Sequence, residues 1–394
     1  MPHFEVTAFL TAAIGLLALI SFCLLVFGRL GVGSIIAFLV AGVLIELMRD
    51  PPASTVLALR GVAELGVVLL LFLIGLEIRL DELRRLGRDI LAFGLPQIGL
   101  SALVIGLYVW WRFAGWEASL VLGLGFALSS TVVVVPLLRD RGELHSPWGS
   151  KAFAILLAQD LAIVPLLLVV SLMVEEDSAD AAGVSWPWAV GGAAIVVVGI
   201  VVGGRYGLPR ILAIAEKQKN EPAFVCVSLL GVLAAALAAE SVGLSMALGT
   251  FLLGATLSTS PFGRHIVATI EPVKSTLLAL FFLSVGLSVD LRIVSLTWAP
   301  LLLNAAAILL MKSAVVFGLA LVLGVARADA LRLSLALAQC GEFGFVLFGA
   351  AQAGGLMTPE RVGLASVLIT ISMLATPFMV RLGHRLQPLG GAAR

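Results

Sequence analysis

Apolar runs about twenty residues long recur through almost the whole of this sequence. A helix needs ~20 apolar residues to span the ~30 Å of a bilayer's hydrocarbon core. Thirteen segments meet that requirement, at roughly 6–27, 31–48, 58–78, 90–112, 118–138, 149–174, 187–207, 221–240, 243–258, 271–288, 297–325, 330–352 and 361–382. Glycine, proline or small groups of charges separate them. Only 12% of the residues are charged, about half the fraction of a soluble domain. Too little polar surface is left to cover a particle in water. The expected fold class is therefore an all-α polytopic membrane protein. No basic stretch precedes the first run and no small-residue cleavage site follows it, so it reads as a retained helix rather than a signal peptide.

Lysine and arginine concentrate on the cytoplasmic side of membrane proteins. With the N-terminus outside, 19 of the 25 basic residues fall in inward-facing connections or ends and 5 outside, at Arg49, Arg60, Arg112, Arg292 and Arg361. The remaining one, Lys312, lies within a span. The acidic stretch 175–185 falls outside, as a loop. A missed or extra helix would scramble this alternation. The C-terminus is then cytoplasmic, with 383–394 as a short tail.

The two halves resemble each other at an offset of about 212 residues. AFLVAGVL around Gly42 matches TFLLGATL around Gly254, and LLLFLIGLEI around Gly75 matches LALFFLSVGLSV around Gly286. FALSST aligns with LALAQC, and Pro165 with Pro377. The offset contains an odd number of crossings, so the second unit enters from the opposite side. The expectation is two inverted six-helix repeats, about 6–174 and 221–382, joined by a linker helix at about 187–207. In transporters so built, the site lies near the midplane at interrupted helices.

Ionisable residues in mid-span need a reason, and Asp160, Lys312 and Glu342 are the ones that stand out. Asp160 sits in LLAQDLAIVP, with no Lys or Arg within eight residues. A carboxylate is a ligand for a proton or a hard cation. One group that holds either but not both is the smallest device for exchange. Gln159 offers an amide oxygen beside it without adding charge. Ser129, Ser130 and Thr131 precede a β-branched run ending at Pro136, a poor helix former. A break there frees backbone carbonyls, which those hydroxyls can satisfy or which can join them around a cation. The repeat mate, ALAQCGEFGFVLFG, has Gly341 and Gly344 around Glu342. This gives broken helices in the fifth and twelfth spans. Glu342 is either a structural counter-charge, the preferred reading, or a second proton site. Lys312 is expected to neutralise a carboxylate. The position equivalent to Asp160 in the second half is Ser372, so one half carries the acid.

These motifs together resemble the membrane domain of the cation/proton antiporter-2 family, closest to glutathione-gated potassium efflux systems of the Kef type. The residues that carry the likeness are LLFLIGLEI (70–78), ALSSTVVV (127–134), AQD (158–160), GLSMALGTFLLGATLS (243–258), IEPVKSTLLALFFLSVGLSVDL (270–291) and GEFGFVLF (341–348). The resemblance implies a sodium/proton-antiporter-like fold of thirteen helices, the broken fifth and twelfth crossing each other, in a homodimer in the bacterial inner membrane. It implies that Asp160 binds the cation and that Lys312 is the core lysine. Electrogenic relatives carry paired acids where this chain has Gln159 and Asp160, so the resemblance implies electroneutral exchange of K+ or Na+ for H+. Kef-type systems continue into a cytoplasmic nucleotide-binding domain. Here the sequence stops after GGAAR and contains no glycine-rich phosphate loop, so the expectation is a regulatory domain that is separate or truncated.

Other functions fit less well. A channel-like potassium pathway calls for a selectivity filter, and no such sequence is present. A sodium-coupled organic anion symporter calls for basic groups beyond Lys312. A sensor with a vestigial transport fold would tolerate loss of Asp160. The three cysteines and four histidines are scattered, which argues against a disulfide framework or a metal cluster. With no nucleophile–base pair either, an enzyme and a resident cofactor are not expected. A net charge of +1 points to no nucleic-acid partner.

Overall fold

The computed structural model describes residues 2–29, 34–48, 65–66, 68–76, 80–113, 115–182, 186–287, 289 and 291–386. Every described element is helical. The first are α1 (Pro2–Arg29), α2 (Ser34–Met48), α3 (68–76) and α4 (Leu80–Asp89). A π turn, Ile90–Gly94, runs straight into α5 (Leu95–Phe113). Then come α6 (Trp116–Ala127), α7 (Thr131–Asp140), α8 (Pro147–Ala182) and α9 (Trp186–Val202). A second π turn, Gly203–Gly207, leads to α10 (Leu208–Lys217), α11 (Glu221–Glu240), α12 (Met246–Leu257) and α13 (Gly263–Leu287). The chain closes with α14 (Leu291–Val322), α15 (Arg327–Ala336), α16 (Phe343–Ala353) and α17 (Pro359–Arg385).

Among the described residues, seven helical stretches are long and apolar enough to cross a membrane, and four shorter apolar helices accompany them. Their outward faces carry large apolar side chains such as Leu103, Leu107, Trp111, Leu303 and Leu310. Water would not tolerate such a surface at this density, and lipid does. The protein is a multi-pass membrane protein.

Element boundaries differ from the sequence expectation in instructive places. The stretch 175–182, expected in a loop, continues α8, because Glu175, Glu176, Ala179, Ala181 and Ala182 are good helix formers. Residues 58–64, 67, 77 and 78 of the expected third span, and the tail beyond residue 386, lie outside the described residues.

Two helix contacts are built on glycine. A Cβ on Gly42 in α2 would run into the Leu283 carbonyl oxygen of α13, and its own Cα faces Gly286. A Cβ on Gly254 in α12 would run into the Phe72 carbonyl oxygen of α3, where Gly75 faces the α12 backbone in turn. Absence of a side chain lets two backbones approach closely, the way small residues bring membrane helices together. Gly254→Ala is expected to cost about 1–3 kcal/mol, the range for overpacking a fixed contact. Gly99→Ala, on an open face of α5, should cost nothing. Thermal melting of the two variants in detergent checks this.

A large apolar cluster containing Phe126, Leu128, Cys340, Phe343, Phe348 and Met373 encloses the middle of the fold. Two interruptions lie inside it. Residues 128–130 are extended between α6 and α7, with Leu128 at φ −76°, ψ 145° and Ser130 at φ −84°, ψ 115°. Residues 337–342 separate α15 from α16.

Candidate ion-binding site

The first break follows from its sequence. Three hydroxyl residues precede four consecutive valines, so side-chain oxygens are on hand to replace lost helical hydrogen bonds. The Ser130 hydroxyl caps α7 by accepting from the Val133 N–H at 3.3 Å. Ser129 Oγ donates to the Leu337 carbonyl at 2.9 Å. The second break comes to meet the first. The Gly341 N–H donates to the Leu128 carbonyl at 2.9 Å, and a Cβ on Gly341 would lie 2.6 Å from the Ser129 carbonyl carbon. Only glycine allows the strands of the two breaks to touch here.

Four half-helices therefore end around one point, and their ends sort by sign. The C-terminal ends of α6 and α15 present carbonyls, the negative pole of a helix. Lys312 of α14 is fully buried there. Its Nζ donates to Phe126 O at 3.0 Å, Leu128 O at 2.6 Å and Gln339 O at 2.8 Å. An ammonium has three protons, and all three are used. The expected direct pairing of Lys312 with a carboxylate is thus corrected: the negative charge it meets is that of the two helix ends. The N-terminal ends of α7 and α16 are the positive poles, and Glu342 stands between them. It is buried, faces the Ser130 side chain and the Val132 N–H, and leaves Oε2 without a hydrogen-bond partner.

Asp160 lies on α8, half-buried, alongside the start of α7. Thr131 Oγ1 is 3.0 Å from its Oδ1 and 3.1 Å from its Oδ2. Of the five residues expected to bind the ion, Thr131 and Asp160 meet oxygen to oxygen here, and Gln159 Nε2 reaches Ser129 Oγ at 3.4 Å. Gln159, the neighbour on α8, faces the protein interior instead. Its Oε1 accepts from the Ser129 N–H at 2.7 Å and its Nε2 donates to Gln97 Oε1 at 2.6 Å. Gln159, Ser129 and Ser130 hold the break open, and the Asp160–Thr131 pair carries an oxygen-rich face of the kind a hard monovalent cation takes. No group of three or more His, Cys, Asp or Glu side chains suited to a metal occurs among the described residues.

Two residues of this assembly escape a sequence reading that looks for charge. Gln97 on α5 is fully buried and donates to Ser101 Oγ at 3.0 Å and Ala127 O at 3.1 Å. Gln339 accepts from the Ser130 N–H at 3.1 Å. The available signal was an amide in the middle of an apolar span, in LPQIGL and ALAQCG.

Thr131→Val removes one hydrogen bond to a charged group. Such a bond is worth about 1.5–3 kcal/mol, so a bound cation that shares the Thr131 hydroxyl should weaken roughly tenfold or more. The cation concentration for half-maximal transport reads this directly.

A family model described as "Sodium/hydrogen exchanger, transmembrane" matches residues 15–382. Among solved structures, the chain is similar to the sodium proton antiporter MjNhaP1 from Methanocaldococcus jannaschii, determined at pH 8. The TM-score is 0.60 at 16% identity, over 96% of this chain and 99% of that one.

Proposed function

The chain belongs to the sodium/hydrogen exchanger family, and from that premise we propose that it is a secondary antiporter exchanging a monovalent cation for H+ by alternating access. Asp160 holds cation and proton in turn, one for one, so the cycle moves no net charge. Potassium is the favoured cation, from the Kef-like motifs, and sodium is its competitor. The observation that carries the reading is the contact of Thr131 Oγ1 with both carboxylate oxygens of Asp160 at the start of a half-helix.

The architecture proposed with it is thirteen crossings in two inverted repeats, with the N-terminus outside. The glycine contacts support this arrangement. Shifting Gly42 by the repeat offset gives Gly254, and shifting Gly286 back brings it to Gly75 within a residue. The α2–α13 contact and the α3–α12 contact thus exchange under the internal symmetry. Asp160 and Pro165 recur as Ser372 and Pro377 with the same spacing. Ser372 Oγ accepts from the Cys340 N–H of the second break at 2.9 Å, much as α8 supports the first. A homodimer in a bacterial inner membrane completes the reading.

The test is proton/cation exchange in proteoliposomes, followed with an internal pH dye as KCl or NaCl is added outside. Alkalinisation by one salt before the other names the substrate. A membrane potential that builds during exchange would sink the one-to-one cycle. Folded protein indifferent to both salts would sink the proposal.

A further inference from the structure

The amides of Gln97 and Gln159 form a chain whose polarity is imposed at both ends. At one end is a backbone N–H, that of Ser129, which Gln159 Oε1 accepts at 2.7 Å. That choice turns Gln159 Nε2 toward Gln97, where it donates to Oε1 at 2.6 Å. At the other end is a backbone carbonyl, that of Ala127, which Gln97 Nε2 meets at 3.1 Å while also reaching Ser101 Oγ at 3.0 Å. Both protons of the Gln97 amide are committed. Flipping either amide would set like against like at a fixed backbone group, so neither can turn alone. Gln97, Ser101, Ser129 and Gln159 are all fully buried, where an unmatched polar contact is not relieved by water.

We propose that Gln97 fixes the charge count of the ion site, because it admits only a hydrogen-bond donor at position 159. A carboxylate there would face Gln97 Oε1 with two acceptors in contact, and could enter only with its proton on. Asp160 is then the one ionised carboxylate of the 159–160 pair. Gln97 acts through Gln159 and is a positioning residue. The inference rests on Asp160 being the ion-carrying group, and it supplies a structural reason for electroneutral exchange.

The test is thermal melting of the full chain in detergent at pH 5.5 and 8.5, always relative to wild type at the same pH. Among the described residues, the titratable groups around this chain of amides are Asp160 on α8, Lys312 on α14, and Cys340 and Glu342 in the second break. They are common to every variant, so the comparison removes them. Gln159→Glu is expected to melt near wild type at pH 5.5 and roughly 5 °C or more below it at pH 8.5, the scale for a buried unpaired charge. Gln159→Leu loses the donor without adding charge, so its deficit should be the same at both pH values. Adding Gln97→Lys to Gln159→Glu supplies a donor and should recover stability at pH 8.5, a coupling that a double-mutant cycle isolates. Three outcomes would overturn the proposal: Gln159→Glu as stable as wild type at pH 8.5, a deficit independent of pH, or a double variant no more stable than the single. Melting does not depend on transport, so a failed exchange assay leaves this test standing, and a failure here leaves exchange through Asp160 standing.

Discussion

Asp160→Asn is expected to fold like wild type and to exchange nothing, with cation-evoked alkalinisation reduced to that of protein-free liposomes. The two halves of this expectation come from the same geometry. Asparagine keeps an oxygen for Thr131 Oγ1, which now meets Oδ1 at 3.0 Å, so the start of α7 keeps its support. It keeps the size of the side chain in its half-buried place on α8. It loses the negative charge, and with it both the site for the proton and most of the attraction for the cation. Neither half-cycle can then load. Melting temperature and gel-filtration profile check the fold, and the pH dye checks the loss. Persistent exchange in the variant would move the chemistry to another group, and Glu342 would be the next to replace.

Lys312→Met should act in the opposite way, on the fold before the transport. Methionine has a similar length and suits an apolar cluster, so packing is little altered. Three carbonyl oxygens, however, lose their donor at once. Each buried polar group left unsatisfied costs about 1–3 kcal/mol, so the total is on the order of 3 kcal/mol or more. Leu128 O lies in the first break, Phe126 O in the last turn of α6 leading into it, and Gln339 O in the second, so both breaks loosen together. A large fall in melting temperature and poor yield of monodisperse protein are expected. If Lys312→Met melted like wild type while losing transport, the lysine would be part of the ion pathway rather than the clamp described here.

The contrast between these residues also measures what a sequence reveals. Asp160 stands out in the sequence because an acid among apolar residues in mid-span needs a reason. The first break was legible because hydroxyls followed by valines, Ser129 to Val135, make an unstable helix at a definite place. The second was legible in Gly341 and Gly344, although only the structure shows that Gly341 exists for the sake of Ser129 across the gap. Lys312 was found for the right reason, an expensive charge, and given the wrong partner. Its partners are backbone carbonyls, which carry no signature in side-chain letters. Gln97 and Gln339 were passed over because an uncharged amide in a span is common, and what marks these two is whom they touch.

The paired glycines of the α2–α13 and α3–α12 contacts have a genetic consequence. A side chain introduced at Gly42 or Gly254 collides with a carbonyl oxygen, and no codon change can shorten a carbonyl. Damage at most buried positions can be suppressed by a smaller neighbour, because the neighbour is also a side chain. Here the neighbour is main chain. A search for intragenic suppressors of Gly254→Ala should therefore recover true revertants, or changes elsewhere that slide a whole helix, and none at Phe72.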